Sequence, residues 1–343
     1  MKKFLFGLGA LLLVAGLIVQ LLIVPGAKQF PSDVDVERVY EGTAGVLLNA
    51  EALQTNDLAN LFIRDLPITI NRNVKTLETD GGSALVSDIS VVNSPAGPVQ
   101  TTENYWSIDR KTMLSDDTFV SDERVIDREG LVVGFPIGTE KRSYDGWNGE
   151  AAKVDTLTYV DEQERAGHDT LYFTAASGPD RITAPSALAS LPPALPQATL
   201  AGIVPALGLD AAAAGQLTEV LTVLPDPVPL AYTYTYNTEY WVEPRSGVLV
   251  DYAKTESRVV GIEVGGQFVP LTEVSQTSFT QTADSVAVTA KEASDAKSDL
   301  FWQGRILPWG LIAGGVILIL LAGFVAVRSR DGGEIDLATG NKL

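Results

Sequence analysis

The stretch Pro67-Ile68-Thr69-Ile70-Asn71-Arg72-Asn73-Val74-Lys75-Thr76 places Ile68, Ile70, Arg72, Val74 and Thr76 on one side of an extended chain. Such period-two alternation marks a β-strand with one buried face. Asp80-Gly81-Gly82 then reads as a turn, after which Ser87, Ile89 and Val91 alternate with Asp88, Ser90 and Val92. Ser94-Pro95-Ala96-Gly97-Pro98 supplies the next turn and 99–108 the next strand, so the pattern is an antiparallel meander. Further strands are expected over 131–135, 156–160, 170–174, 232–242, 248–254, 259–264 and 274–280. Between two of them, Pro244 presets a turn dihedral and Gly247 tolerates a positive one, which makes 240–250 a hairpin. The expected fold class is a mainly β domain, a large antiparallel sheet or barrel-like, with a helical insertion, flanked by two transmembrane α-helices.

Outward from the strands lie two apolar stretches, 4–24 and 306–327, each long enough to cross a bilayer as a helix. Lys2 and Lys3 precede the first, and Arg328 and Arg330 follow the second. The positive-inside rule therefore places 1–3 and the tail 328–343 in the cytoplasm and 28–304 outside a plasma membrane crossed twice. Val24-Pro25-Gly26-Ala27-Lys28 puts a proline at a signal-peptidase recognition position, so the first span reads as an uncleaved anchor. Gly310 and Gly314 form a G-x-x-x-G pair, and Gly7, Gly9 and Gly16 thin the first span, so the two helices can pack on each other.

One segment departs from the β pattern. Residues 182–230 carry only Asp210, Glu219 and Asp226 as charges, with prolines at 185, 192, 193, 196, 205, 225, 227 and 229. Between them Asp210 reads as an N-cap for a helix over 211–224 with Leu217, Val220, Leu221 and Leu224 on one face. Such a face packs as a cap on the sheet or, where it meets a lipid or a partner or lines an apolar cavity, makes those four the candidate surface for an apolar ligand or a partner. The leucines of 45–63 suggest a helix or two short pieces, 32–37 a solvated strand, and 284–302 a helical stalk leading into the second span.

Composition excludes several function classes. Residues 29–304 hold 40 acidic and 18 basic side chains, a net of −22, which repels nucleic acids. There is no cysteine and a single histidine, His168, so disulfides, thiol chemistry and the usual zinc sites are absent. No P-loop, no dinucleotide-binding glycine motif opening a helix and no nucleophile elbow occurs. The expectation is a non-enzymatic protein with no catalytic residue, no cofactor and no metal.

Four features carry a family resemblance. They are Ser107-Ile108-Asp109-Arg110-Lys111-Thr112, the block Gly134-Phe135-Pro136-Ile137-Gly138-Thr139-Glu140-Lys141-Arg142-Ser143-Tyr144-Asp145-Gly146-Trp147, Trp241-Val242-Glu243-Pro244-Arg245-Ser246-Gly247, and the order of the terminal spans. Together they resemble the actinobacterial two-pass membrane family of unknown function known as the porin PorA family. The resemblance implies a cell-envelope protein and brings no catalytic residues. Asp109, Arg110, Phe135, Pro136, Glu140, Lys141, Tyr144, Trp147, Trp241, Pro244 and Gly247 read as fold-defining, with Asp109-Arg110 and Glu140-Lys141-Arg142 forming ion pairs at strand ends and Tyr144 packing with Trp147.

A membrane barrel needs strands with a lipid-facing apolar side, whereas these carry Arg72, Lys75, Asp88, Glu239 and Asp251. The plan of two anchors, a β-rich domain and an apolar helical insertion resembles the architecture of the class B scavenger receptors, which bind lipids. The leading expectation is an envelope protein whose β domain binds or conveys an apolar ligand such as a membrane lipid, through a cavity opening near 182–230. The alternatives are a scaffold docking an envelope protein partner, and a porin or channel.

Overall fold

The computed structural model describes residues 2–55, 57–126, 128–207 and 210–331. The expected tail 328–343 lies outside them from 332 onward, as do Met1 of the first segment and Gly208 and Leu209 of the insertion. In chain order the elements begin with α1 (Lys2–Ile18), a π-helical turn (Val19–Ile23), α2 (Val24–Ala27), β1 (Asp35–Leu48), α3 (Ala50–Gln54) and β2 (Phe62–Asp80). Next come β3 (Ser83–Ser94), β4 (Gly97–Asp109), β5 (Tyr144–Asn148), β6 (Lys153–Arg165) and β7 (His168–Arg181). The insertion holds α4 (Pro185–Leu188), β8 (Ala194–Leu195), α5 (Gln197–Ile203), α6 (Ala211–Leu221) and β9 (Val228–Pro229). The chain closes with β10 (Ala231–Val242), β11 (Leu249–Val264), β12 (Gln267–Gln281), α7 (Ala283–Phe301), a second π turn (Trp302–Ile306) and α8 (Leu307–Asp331).

Residues Phe30–Ala293 form one compact unit built on a curled antiparallel sheet of ten strands, in the order β4-β3-β2-β1-β12-β11-β10-β7-β6-β5. The expected class, a large antiparallel sheet with helices and two apolar terminal helices, is the observed one. Hairpins connect most neighbours, and the first and last strands of the sheet are laced together by the connection 110–143. Asp116 N donates to Ser107 O on the β4 side, at 3.0 Å, and Ser115 N to Gly130 O at 3.2 Å. Leu131 N donates to Asp145 O at 2.8 Å and Trp147 N to Leu131 O at 3.1 Å on the β5 side. Backbone groups of two open edges are thereby paired, as buried edges require.

Three local expectations change. The strand at 131–135 is absent beyond single bridges at Leu131, because Gly134 and Pro136 interrupt the extended run and Phe135 turns inward, 6% exposed. The two strands expected at 248–254 and 259–264 are one, β11, whose polar middle hides its continuity. In 45–63 the chain finishes β1, where a bulge between Ala44 and Val46 breaks the alternation, and only then makes α3 and a 3-10 turn (Leu58–Asn60). The expected stalk helix is more than a spacer in its first half. Thr289 Oγ1 donates to Val250 O at 2.6 Å, Ala293 is fully buried, and Glu292 pairs with Arg38.

The second unit combines residues up to Gln29 with those from Ser294. Among the described residues two helices, Lys3–Ala27 and Ala283–Val327, are long and apolar enough to cross a membrane. α1 and α8 pack through glycines. A Cβ on Gly9 would lie 2.8 Å from Gly315 O, one on Gly315 2.7 Å from Gly9 O, and one on Gly16 3.1 Å from Pro308 O. The expected pairing occurs, but Gly310 of the G-x-x-x-G pair meets nothing within 4 Å and Gly314 only Leu12 at 3.8 Å. Since the chain has no native cysteine, cysteines introduced at Leu12 and Gly314 should cross-link efficiently. Adding Gly9→Leu should cut that yield severalfold, and an undiminished yield would disprove the packing.

Candidate functional site

The inward face of the sheet is layered. Along β11 the inward positions are Tyr252, Lys254, Glu256, Arg258, Val260 and Ile262, which alternate with residues facing the other way. Val260 and Ile262 belong to an apolar core with Tyr232, Tyr234, Leu271 and Val274 of the neighbouring strands and with the insertion. At the opposite end of the strands a second core gathers Val74, Val86, Trp106, Ile108, Phe135, Tyr144, Leu171, Phe173 and Val242. Between the two lies a layer of charge.

Lys254 Nζ sits 2.6 Å from Glu256 Oε2, and the Arg258 guanidinium forks onto Glu150 at 2.6 and 3.0 Å. The β10 tyrosines complete the layer. Tyr234 Oη donates to Glu256 at 2.6 Å and Tyr236 Oη to Asp155 at 2.9 Å. Lys153 bridges Asp155 and Asp180 at 3.0 and 2.9 Å. Across the sheet Arg72 clasps Asp88 with two bonds of 2.8 Å. Burial works against the charged form of Glu256, but Lys254 and Arg258 outweigh it and hold its carboxyl down at about 2. Burial opposes charge on Lys254 too, and Glu256 overrides it and raises the ammonium well above its ordinary value. These side chains are enclosed yet keep 22%, 16% and 15% of their area at Lys254, Glu256 and Arg258. The layer is therefore polar and wettable rather than dry. Nearby, burial pushes the Arg128 guanidinium down to about 10, where it stacks on Trp106.

Beneath the insertion, at the Val260 end, lies a cavity of about 30 Å³. Pro192, Leu195, Leu200, Ile203 and Leu207 roof it, and Tyr232, Val260 and Leu271 are among its floor. The sequence reading expects a continuous apolar cavity or groove through the sheet, opening near 182–230. The space found has the scale of one water, and the charged layer bars it from the second core. The four candidate surface residues of α6 and its end also turn inward. Leu217 and Leu221 are 8% and 3% exposed in the first core, and Val220 and Leu224 are half-buried against it. Their stripe is the underside of a cap rather than an open surface, because the sheet offers the apolar area that an amphipathic helix needs.

The family-signature residues gather at the other end. Asp109 does not pair with Arg110 as expected. It closes the turn after β4, accepting from Thr112 N, Thr112 Oγ1 and Lys111 N at 2.7, 2.8 and 3.1 Å. Burial alone would raise its pKa, and those donors lower it. Arg110 Nε instead donates to Phe30 O at 2.7 Å. Glu140 pairs with Arg142 at 2.9 Å and Lys141 with Glu162 at 2.6 Å. Tyr144 Oη accepts from Glu140 N at 2.8 Å while its ring packs edge-on against Phe135, and Trp147 is half-buried on the second core. Trp241 Nε1 donates to Gln163 at 2.8 Å, and its ring stacks on Tyr172 under the Arg165 guanidinium. Past Pro244 the turn closes with Gly247 N donating to Glu243 O at 2.9 Å, and Gly247 takes φ +73°. A Cβ there would stand 2.6 Å from Pro136 O and 2.7 Å from Phe135 O, so the two longest signature blocks meet at this point.

Sequence reasoning missed the charged layer. Its signal was present, since Lys254, Glu256 and Arg258 recur every second residue, opposite Thr238, Tyr236 and Tyr234. Among the described residues no group of three or more His, Asp or Glu could hold a metal ion. His168 Nε2 lies 2.9 Å from Ala290 O, tying β7 to α7.

The sequence model of the family described as Porin PorA matches residues 3–325. A Porin PorA of Corynebacterium resistens is 22% identical over 397 aligned positions, covering 94% of this chain and 95% of that protein.

Two outcomes follow from the geometry. Gly247→Ala meets both the positive φ and the carbonyl contact, so it should cost about 2–3 kcal/mol and lower the thermal midpoint by about 5–10 °C. Glu256→Gln should cost about 3 kcal/mol at neutral pH by stranding Lys254. Because the native pKa of Glu256 is depressed, its contribution is present above the unfolded value near 4.3 and is lost as pH falls toward about 2. Thermal unfolding against pH should therefore be flatter over that window in the variant than in the parent.

Proposed function

The chain belongs to the porin PorA family, and from that premise we propose that it is a non-enzymatic, two-pass plasma-membrane protein of the cell envelope whose β domain takes an apolar chain beneath its cap. In this reading both termini are cytoplasmic and the β domain is outside the membrane, as the basic flanks of the two spans favour. The observation that carries it is the cavity between cap and sheet, whose only polar lining groups come from Thr272, the Tyr232 side chain and backbone. Tyr232 Oη is already spent on Pro192 O at 2.6 Å, which leaves an apolar wall that water fills poorly. At about 30 Å³ the space is too small for an acyl chain, and a ligand enters by displacing the short helices of the roof. The roof is suited to that. Its helices α4 and α5 span four and seven residues, and its backbone ties to the sheet include Leu230 N to Pro193 O at 2.9 Å.

The family description favours a second reading, a pore. Exposed Arg64, Asp65, Lys75 and Glu78 on β2 weigh against the sheet facing lipid, since each basic group at mid-bilayer costs about 2–4 kcal/mol. Permeation would fall to the helices. Conductance of the purified full chain in planar bilayers separates the readings.

For the cap site, full-length protein in nanodiscs is incubated with palmitate and released for native mass spectrometry. The parent should carry one bound chain, and Leu207→Trp, which fills the roof side, should lose it with an unchanged thermal midpoint. No adduct on the parent, or equal adducts on both proteins, would sink the apolar reading.

A further inference from the structure

The charged layer stands immediately beyond the cap cavity, and its position has a consequence for any chain held there. Val260 and Tyr232 line the cavity, and the next inward positions on the same strands are Arg258 and Tyr234. Two residues of strand span roughly 7 Å, less than six methylenes of an extended chain. Past Arg258 come Glu256 and Lys254, so an advancing apolar chain would meet three consecutive charged positions before reaching Phe173 and Trp106 of the second core.

These charges are poor anchors for a ligand's own charge because each already has a partner: Glu150 for Arg258, and Lys254 with Tyr234 for Glu256. Admitting methylenes would strip water and hydrogen bonds from paired ions without replacing them, which buried ions do not tolerate. The layer also extends across the curled sheet, through Asp155 and Lys153 on one side and Arg72–Asp88 on the other, where it closes off a small apolar cluster of Tyr40, Ala44, Ile68 and Ile70 along β1 and β2.

Resting on the cap reading, we infer that Arg258, Glu256 and Lys254 form a partition that ends the apolar site, sets the length of chain it accepts and makes the β domain a one-ended holder rather than a conduit. Ligand enters and leaves on the cap side. A chain longer than the opened cavity leaves its remainder outside the roof instead of passing through the sheet.

The test uses the full-length protein in nanodiscs and saturated fatty acids of ten to eighteen carbons with a diazirine at the methyl end, cross-linked by light and mapped by peptide mass spectrometry. In the parent, cross-links at every chain length should fall on the cap-end core, such as Leu200, Ile203 and Leu271, and none on Trp106 or Phe173. In a variant with Lys254→Met, Glu256→Leu, Arg258→Met and Glu150→Leu, which removes both members of each pair, the longer acids should label Trp106 and Phe173. Label on Trp106 or Phe173 in the parent overturns the partition, and this arm needs no variant to fold. A variant of unchanged circular dichroism that labels only the cap-end core also overturns it. Failure to label the cap-end core in either protein instead overturns the cap reading beneath it.

Discussion

Lys254, Glu256 and Arg258 occupy consecutive inward positions of one strand, and charge inside a sheet persists only where it is paired. That constraint reaches far along the chain. Glu150, 108 residues from Arg258 in sequence, must come from the turn between β5 and β6, and Asp155 from β6 must reach Tyr236 on β10. A flat sheet could not supply them, because β6 and β11 are separated by β7 and β10 in strand order. Curl brings the two faces of the seam together. The apolar cores on either side then follow, since each is the set of inward residues left over when the charged rows are removed.

Curl alone would leave two raw edges, and the connection 110–143 resolves them by lending single backbone bonds to each rather than by adding a strand. A segment that does this cannot be regular. It needs Gly130 at φ +74°, where a Cβ would stand 2.6 Å from Asp145 O, and it needs an inward anchor. Phe135 is that anchor, ringed by Tyr144, Phe173 and Tyr240 with centroids 4.8 to 5.8 Å away. Gly247 admits the Phe135–Pro136 carbonyls against the β10–β11 hairpin. The signature residues thus serve the closing of the sheet, where blocks distant in sequence meet in space.

The strands were legible where one face was apolar and the other polar, as in 67–76, and the two spans were legible from length alone. What escaped the reading shares one cause. Inward polar residues look like outward ones in a sequence, so Thr255 to Arg258 read as a break in β11, and Asp88, which meets Arg72 inside, reads like any solvated strand charge. Pairing across 16 or 108 residues is what makes those charges internal, and a single sequence does not display it. The insertion left two readings open, a cap on the sheet and an exposed surface. Leu217 and Leu221 gave a correct amphipathic face, but nothing in the local pattern states whether that face is covered, and here the sheet covers it.

Layering also bears on how the family's description relates to this chain. A pore formed by the sheet would need polar residues lining its interior, which the charged layer supplies, and an apolar exterior, which the strands do not. The same interior has closed apolar cores at both ends, with side chains such as Phe173 and Val242 fully buried, and those block the passage of ions as firmly as the charged layer blocks the passage of methylenes. The interior thus alternates apolar, charged and apolar along the strands. In the helices, Gly9 and Gly16 of α1 and Gly315 of α8 lie at the contact between the two, and Gln20 is the one polar side chain within 4–24. At the cap end the interior closes under a roof of short helices with few charges, α4 and α5 spanning four and seven residues.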